Sequence, residues 1–171
     1  SDPGWNGGNY TSHTEVADGL KRHADIWAVM GFCPEFFNQE KWDLFGVATV
    51  DELVGGFLEP FFQAMDPNAL LAMGWKWQRG DVSRLTDGDL EKALGRIKAV
   101  TYVMPIDTDM FFPPSDCERE QKMIPNSELR VVTSIAGHFG LFGGEGEAYH
   151  GQIDHHLKEL LAVAVKQGVH D

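Results

Sequence analysis

The sequence predicts an α/β fold in which the strands present form only part of a sheet. Three observations predict it. Two apolar, β-rich runs, Ala99–Met104 and Leu129–Ser134, lie in the last half of the 171 residues. Helical segments alternate with those runs, which is the rhythm of a parallel sheet covered by helices. The middle of the chain is helical in pattern and rich in aromatics, and it offers no strand at all.

Each element has a local reason. In the middle segment Thr49-Val50-Asp51-Glu52 has capping-box spacing and starts a helix. Leu53, Phe57 and Phe61 then recur every four residues as an apolar stripe. Pro60 removes a backbone donor and is expected to kink or end that helix. Asp66-Pro67 reads as a fresh start, with Asp as N-cap and Pro at the first helical position. Further on, Leu90–Ile97 reads as a short helix. Ser115-Asp116-Cys117-Glu118 reads as a second capping box, opening a helix that stops at Pro125. Ile153–Gln167 is amphipathic, with Ile153, Leu157, Leu160, Leu161 and Ala164 on one face and Gly168 as its C-cap. Two strands alone would leave open sheet edges. The remaining strands are therefore expected on sequence outside this stretch.

By character the chain divides into residues 1–19, glycine- and asparagine-rich and loop-like; 20–85, a helical block that reads as ordinary core or as a lid over a substrate pocket; and 86–171, which alternates helix and strand. The charge is −12, from 26 acidic and 14 basic residues. Such a balance repels phosphate backbones and anionic lipid, so neither nucleic acid nor membrane is expected as a partner. No apolar run approaches the ~18 residues of a membrane-spanning helix. The opening Ser1-Asp2-Pro3-Gly4 lacks the basic and apolar stretches of a secretory leader. Two cysteines, Cys33 and Cys117, fit a reduced cytoplasmic protein better than a disulfide framework.

Chemistry concentrates in the loops after the two strands. The first carries Asp107 and Asp109, and the second carries His138 between Gly137 and Phe139-Gly140. Sites in open α/β sheets gather at the carboxyl ends of strands. An acid followed by a histidine at successive strand ends follows the order of the last two members of a Ser–Asp–His triad. In that chemistry the imidazole takes the nucleophile's proton and the carboxylate fixes its tautomer. Both aspartates are also good turn residues. No nucleophile elbow is present: none of Ser1, Ser12, Ser83, Ser115, Ser127 or Ser134 has glycine two residues away on both sides. Cys33 comes nearest, but Pro34 after it supplies no amide, and a packed, inert thiol is expected there. His150, Asp154, His155 and His156 cluster without a metal-ligand motif, so no metal site is expected. Gly143-Gly144-Glu145-Gly146-Glu147 is glycine-rich but acidic, the wrong sign for phosphate.

Five motifs carry a resemblance. They are Asp2-Pro3-x-Trp5-Asn6-Gly7-Gly8-x-Tyr10 with Gly19-Leu20; Met65-Asp66-Pro67-Asn68-Ala69-Leu70-Leu71; Asp89-Leu90-Glu91-x-Ala93-Leu94-x-Arg96-Ile97-Lys98-Ala99; Thr108-Asp109-x-Phe111-Phe112-Pro113; and Ser134-x-x-Gly137-His138-x-x-Leu141-Phe142. In this order, over nearly the whole length, the chain resembles the homoserine O-acetyltransferase family of α/β-hydrolase-fold acyltransferases. The resemblance implies the C-terminal part of an α/β-hydrolase fold, with the end of a core strand and a loop at 1–19, a helical lid insertion at 20–85 and a C-terminal core segment at 86–171, lacking the N-terminal core strands and the nucleophile elbow. It makes Asp109 the triad acid and His138 the triad base. The family's serine precedes the Asp-Pro-x-Trp segment, so an N-terminal segment or chain carrying it is an expected partner, and these residues alone are expected to be inactive. Acetyl-CoA or another acyl-CoA is implied as co-substrate, a small alcohol as acceptor, and a homodimer through the lid as the assembly.

One position departs from the family pattern. An arginine that grips the carboxylate of the amino-acid substrate is replaced by Ala64, and Arg79 and Arg84 are the nearby candidates to replace it. The expectation is therefore acyl transfer to an alcohol. The alternatives are an esterase of the same fold, or an inactive fragment or subunit needing a partner chain.

Overall fold

The computed structural model describes residues 2–142 and 144–163. The chain opens in a 3-10 turn, Pro3–Gly8, capped by Asp2. One Asp2 oxygen accepts from Gly4 N (2.8 Å) and the other from Gly19 N (2.7 Å), which ties the opening turn to the first long helix. That helix, α1 (Ala17–Gly31), starts earlier than the helical segment expected from the sequence. It buries Leu20, Ala24, Ala28 and Gly31, a three-to-four-residue repeat on one face. Pro34 at the first helical position then opens α2 (Pro34–Asn38).

The Thr49 capping site forms as expected. Thr49 Oγ1 accepts from Glu52 N (3.1 Å) and Glu52 Oε2 accepts from Ala48 N (2.7 Å), opening α3 (Val50–Glu52). Pro60 does not end the helix. The turns widen to π geometry over Leu53–Leu58, and α4 (Glu59–Gln63) takes Pro60 in its first turn. A proline ring clashes with the carbonyl four residues back in a regular helix, and a wide turn before it relieves that clash. The extra residue also re-aims the stripe. Leu53 is fully buried, but the next buried positions are Leu58 and Phe62, not Phe57 and Phe61, which are only partly buried.

Asp66 caps α5 (Pro67–Arg79) by accepting from Ala69 N (2.8 Å), as the sequence predicts. Most of α5 faces outward: Leu71, Met73, Trp75 and Trp77 are exposed. A short helix, α6 (Leu90–Leu94), precedes the first strand. Strand β1 (Thr101–Val103) pairs in parallel with β2 (Ser127–Leu129) in the register Thr101↔Ser127, Tyr102↔Glu128 and Val103↔Leu129. The ladder is thus shorter than the predicted runs, and the second strand begins before Leu129. A separate parallel bridge, Ile106↔Val132, joins the two segments again just ahead of the loops.

Between the strands α7 (Pro114–Gln121) starts one residue before the predicted capping box. Pro114 presets the helical φ, Pro113 O takes the first amides, and Ser115 lies inside the helix without capping it. The last helix, α8 (Glu147–Ala162), also starts earlier than predicted. It buries Tyr149 and packs Ile153 on Ile106 and Val132, while Leu157 and Leu161 stay exposed. The predicted Ala164 and Gly168 lie outside the described residues. No described helix is long and apolar enough to cross a membrane.

The larger core joins the helical block to the second strand's loop. Phe32 stacks on Phe36 (4.2 Å between centroids) and on Phe139 (4.6 Å). Gly31 makes room for Phe139: a Cβ there would lie 2.1 Å from the ring. Gly31→Ala is therefore expected to destabilise the full-length protein by about 1–3 kcal/mol through overpacking, read as a lower urea midpoint.

Candidate active site

Two loops meet where the β1–β2 ladder ends. The first loop runs from Ile106 to Pro113, and its Asp107 and Asp109 do different work. Asp107 Oδ1 accepts from Ser134 N (3.1 Å), which joins the two loops. Asp109 is buried, and its Oδ1 accepts from Phe111 N (2.7 Å) and Phe112 N (3.1 Å). Those amides hold the carboxylate in one rotamer and leave Oδ2 pointing at the second loop.

There Oδ2 meets His138. The His138 Nδ1–Asp109 Oδ2 distance is 2.9 Å, across 29 positions of sequence. With Nδ1–H donating to the carboxylate, Nε2 keeps its lone pair, and it has no hydrogen-bond partner among the described residues. The imidazole sits in an aromatic setting, with ring centroids of Phe111 at 4.9 Å, Phe112 at 5.8 Å and Trp27 at 5.8 Å. Such walls exclude water from one side of the pair and restrict rotation of the ring.

The backbone under His138 is held as tightly. Gly137 has φ +59°, and a Cβ there would lie 2.8 Å from Gly31 O, so no side chain fits. Ser134 is fully buried, and its hydroxyl donates to Glu145 Oε2 and accepts from Ala136 N (3.1 Å). The other Glu145 oxygen accepts from Ile135 N (3.3 Å). Thr108 Oγ1 donates to Ser134 O, a further tie between the loops.

The remaining sequence candidates are placed elsewhere. Cys33 is buried and its thiol donates to Ile135 O (3.0 Å), a packing role that steadies the His138 loop from below. Ala64 is exposed at the end of α4. Arg79 lies over the Trp75 ring (4.6 Å) and donates to Trp75 O (3.3 Å), so its partners are on α5 itself. Arg84 is exposed. His155, His156 and Glu159 bring ligand atoms within 4.8 Å of one another on α8, yet Arg130 already lies 3.5 Å from Glu159.

Sequence reasoning missed three residues of this region. Glu145 reads in sequence as part of an acidic, glycine-rich stretch of the wrong sign for phosphate, and its place between two glycines just after His138 is the signal of a loop anchor. Trp27 and His23 are four apart on α1, a helical neighbour spacing that is visible in sequence. Nothing in the sequence joins them to the distant loops.

No protein-family profile matches the chain. Among curated relatives it is 58% identical over 161 residues to a protein of Corynebacterium glutamicum named a probable esterase. It is 55% identical over 162 residues to an ethyl acetate hydrolase of Pseudomonas veronii. These matches cover 94% and 95% of the chain but 46% of each relative, so the chain spans about half the length of the relatives it matches. A homoserine O-acetyltransferase of Nostoc punctiforme is 29% identical over 149 residues. Of solved structures, an acetylester hydrolase from C. glutamicum superposes with a TM-score of 0.90 over 93% of this chain and 45% of that one. The acetyl esterase MekB superposes with a TM-score of 0.89 over 94% of this chain and 46% of that one.

The chain has the fold of the C-terminal part of an α/β-hydrolase. The two-stranded ladder is accordingly one portion of an α/β-hydrolase sheet, and Asp109 and His138 occupy the loops beyond its carboxyl end. Likeness to ester hydrolases is stronger than the likeness to homoserine O-acetyltransferases expected from the motifs, at 58% and 55% against 29% identity. Glu145→Ala is expected to cost the full-length protein about 1–3 kcal/mol, because it strips partners from a buried hydroxyl and an amide. Urea unfolding of the variant checks this.

Proposed function

We propose that the chain supplies the base and the orienting acid of an esterase that cleaves short acyl esters, acetyl esters foremost. The observation that carries the reading is the 2.9 Å contact between Asp109 Oδ2 and His138 Nδ1, with the other carboxylate oxygen already held by two amides. That arrangement commits His138 to one tautomer and leaves Nε2 to accept a proton. The relatives add the leaving chemistry, since their names describe esterase, ethyl acetate hydrolase and acetylester hydrolase activities.

In the proposed reaction a serine hydroxyl, contributed from outside these 171 residues, loses its proton to His138 Nε2 as its oxygen attacks the ester carbonyl. Asp109 stabilises the imidazolium that results. The imidazolium protonates the departing alcohol as the ester C–O bond breaks, leaving an acyl-serine. Water repeats the sequence: His138 takes its proton, hydroxide adds to the acyl carbon, and the serine leaves with that proton. Phe111, Phe112 and Trp27 keep the surroundings of the imidazole apolar, which strengthens each of these charge interactions.

An acyltransferase using an acyl-CoA donor and an alcohol acceptor would employ the same pair, and the five sequence motifs favour it. Against it, Ala64 stands where that family's carboxylate-gripping arginine would be, and Arg79 is engaged on its own helix. An uncharged substrate suits this site better than homoserine.

Purified full-length protein is expected to cleave 4-nitrophenyl acetate and ethyl acetate at rates that do not depend on added alcohol. Acetyl transfer from acetyl-CoA to an alcohol, outpacing ester cleavage, would sink the esterase reading. His138→Ala is expected to lower kcat on the order of 10⁴-fold or more, and Asp109→Asn about 10³–10⁴-fold, with the fold retained by circular dichroism.

A further inference from the structure

We propose that His23 is a positioning residue for the Asp109–His138 pair, acting through the indole of Trp27. The inference rests on the esterase reading and adds to it a residue outside the two loops.

Trp27 is the point at which three segments converge. Its ring stacks on Phe111 (4.7 Å, 27° between planes), and the Phe111 amide is one of the two that hold Asp109. It packs against Phe139 (5.8 Å), the residue after His138, and against the His138 imidazole itself (5.8 Å). Phe62 of α4 borders it as well (5.4 Å). All of these are ring–ring contacts, which favour stacked or edge-on arrangements but accept a spread of angles, here from 27° to 62° between planes. The directional restraint on the ring is a hydrogen bond: Trp27 Nε1–H donates to His23 Nε2 at 3.0 Å.

His23 is suited to accept. It lies one turn before Trp27 on α1, and its ring meets Phe62 edge-on at 4.6 Å. Accepting at Nε2 requires the neutral imidazole with its proton on Nδ1. Burial lowers the affinity of this imidazole for a second proton, which keeps the lone pair available. A half-buried indole N–H is better off with an acceptor, and any acceptor would satisfy it. What sets this bond apart is that the same indole stacks on the ring of Phe111, whose amide holds Asp109, and packs against the His138 imidazole. Loss of the acceptor frees the indole to turn and shifts the wall that both loops lean on.

The test uses the full-length protein and four variants: His23→Leu, His23→Gln, Trp27→Phe and the double variant His23→Leu/Trp27→Phe. His23→Leu is expected to lower kcat about tenfold while KM changes less than about twofold, the pattern of misplaced catalytic groups rather than lost binding. Gln offers a carbonyl to the indole and is expected to restore kcat to within about threefold of wild type. Trp27→Phe keeps a ring but has no N–H, so the double variant is expected to be no slower than the slower single variant. Unchanged kcat in His23→Leu, no rescue by Gln, or losses that multiply in the double variant would each overturn the proposal. If His23→Leu does not fold, Trp27→Phe and His23→Gln decide it, the first expected to be slow and the second near wild type. A readout free of substrate separates this inference from the esterase reading. The downfield proton resonance of His138 Nδ1–H should broaden in His23→Leu and sharpen again in His23→Gln even if the wild type cleaves no ester, and a resonance indifferent to both changes counts against His23.

Discussion

The contact between Asp109 and His138 depends on two segments beyond the strands being held in register, one of them the short 3-10 helix Gly137–Phe142 that carries His138. The parallel ladder ends at Val103 and Leu129, and the Ile106↔Val132 bridge is the last strand-like pairing before the loops diverge. Past that point side chains take over from backbone. Asp107 reaches Ser134 N, Thr108 reaches Ser134 O, and Glu145 holds Ser134 and Ile135 from the opposite side. Ser134 is thus bonded at its amide, carbonyl and hydroxyl, and it is fully buried. A buried polar residue satisfied at every group is costly to disturb, so it serves as the fixed point from which His138, four residues on, is aimed.

The helical block contributes through packing. Phe139 fills the space that Gly31 leaves empty, and Phe32 stacks on it. The π turn over Leu53–Leu58 makes this core possible by sending Leu58 and Phe62 inward. Phe62 then borders Trp27 and His23. A change of one residue in helical phase, forced by the need to accommodate Pro60, therefore propagates to the aromatic wall around the imidazole. Close-packed interiors transmit such shifts because no slack absorbs them.

Outward-facing apolar surface has a reading in the same terms. Val100 and Val131 flank a ladder of two strands, and Leu157 and Leu161 extend the apolar face of α8 beyond the residues that Ile106 and Val132 cover. In the solved relatives the matching region is less than half of the chain. A parallel sheet is covered on both faces, so exposed valines and leucines at these positions are what one portion of such a sheet presents.

Local signals were legible along the chain because they act over a few residues. The caps at Thr49 and Asp66, the apolar run of β1 and the turn prolines need only neighbours to be recognised. Chain order made Asp109 and His138 candidates. Other features were hidden for a physical reason. The direction of the stripe after Pro60 depended on a wide turn that periodicity assumes away. The start of α7 turned on which of two prolines set the first helical angle. Turn propensity alone did not separate Asp109 from Asp107; the family motif did, and the two amides and the neighbouring segment supply the physical reason. The part of Glu145 came from a loop folding back on Ser134, and those of Trp27 and His23 from contacts with segments far apart in the chain. Composition, spacing and capping chemistry speak for single elements, whereas orientation between elements is set by packing and shared hydrogen bonds that exist only after the chain has folded.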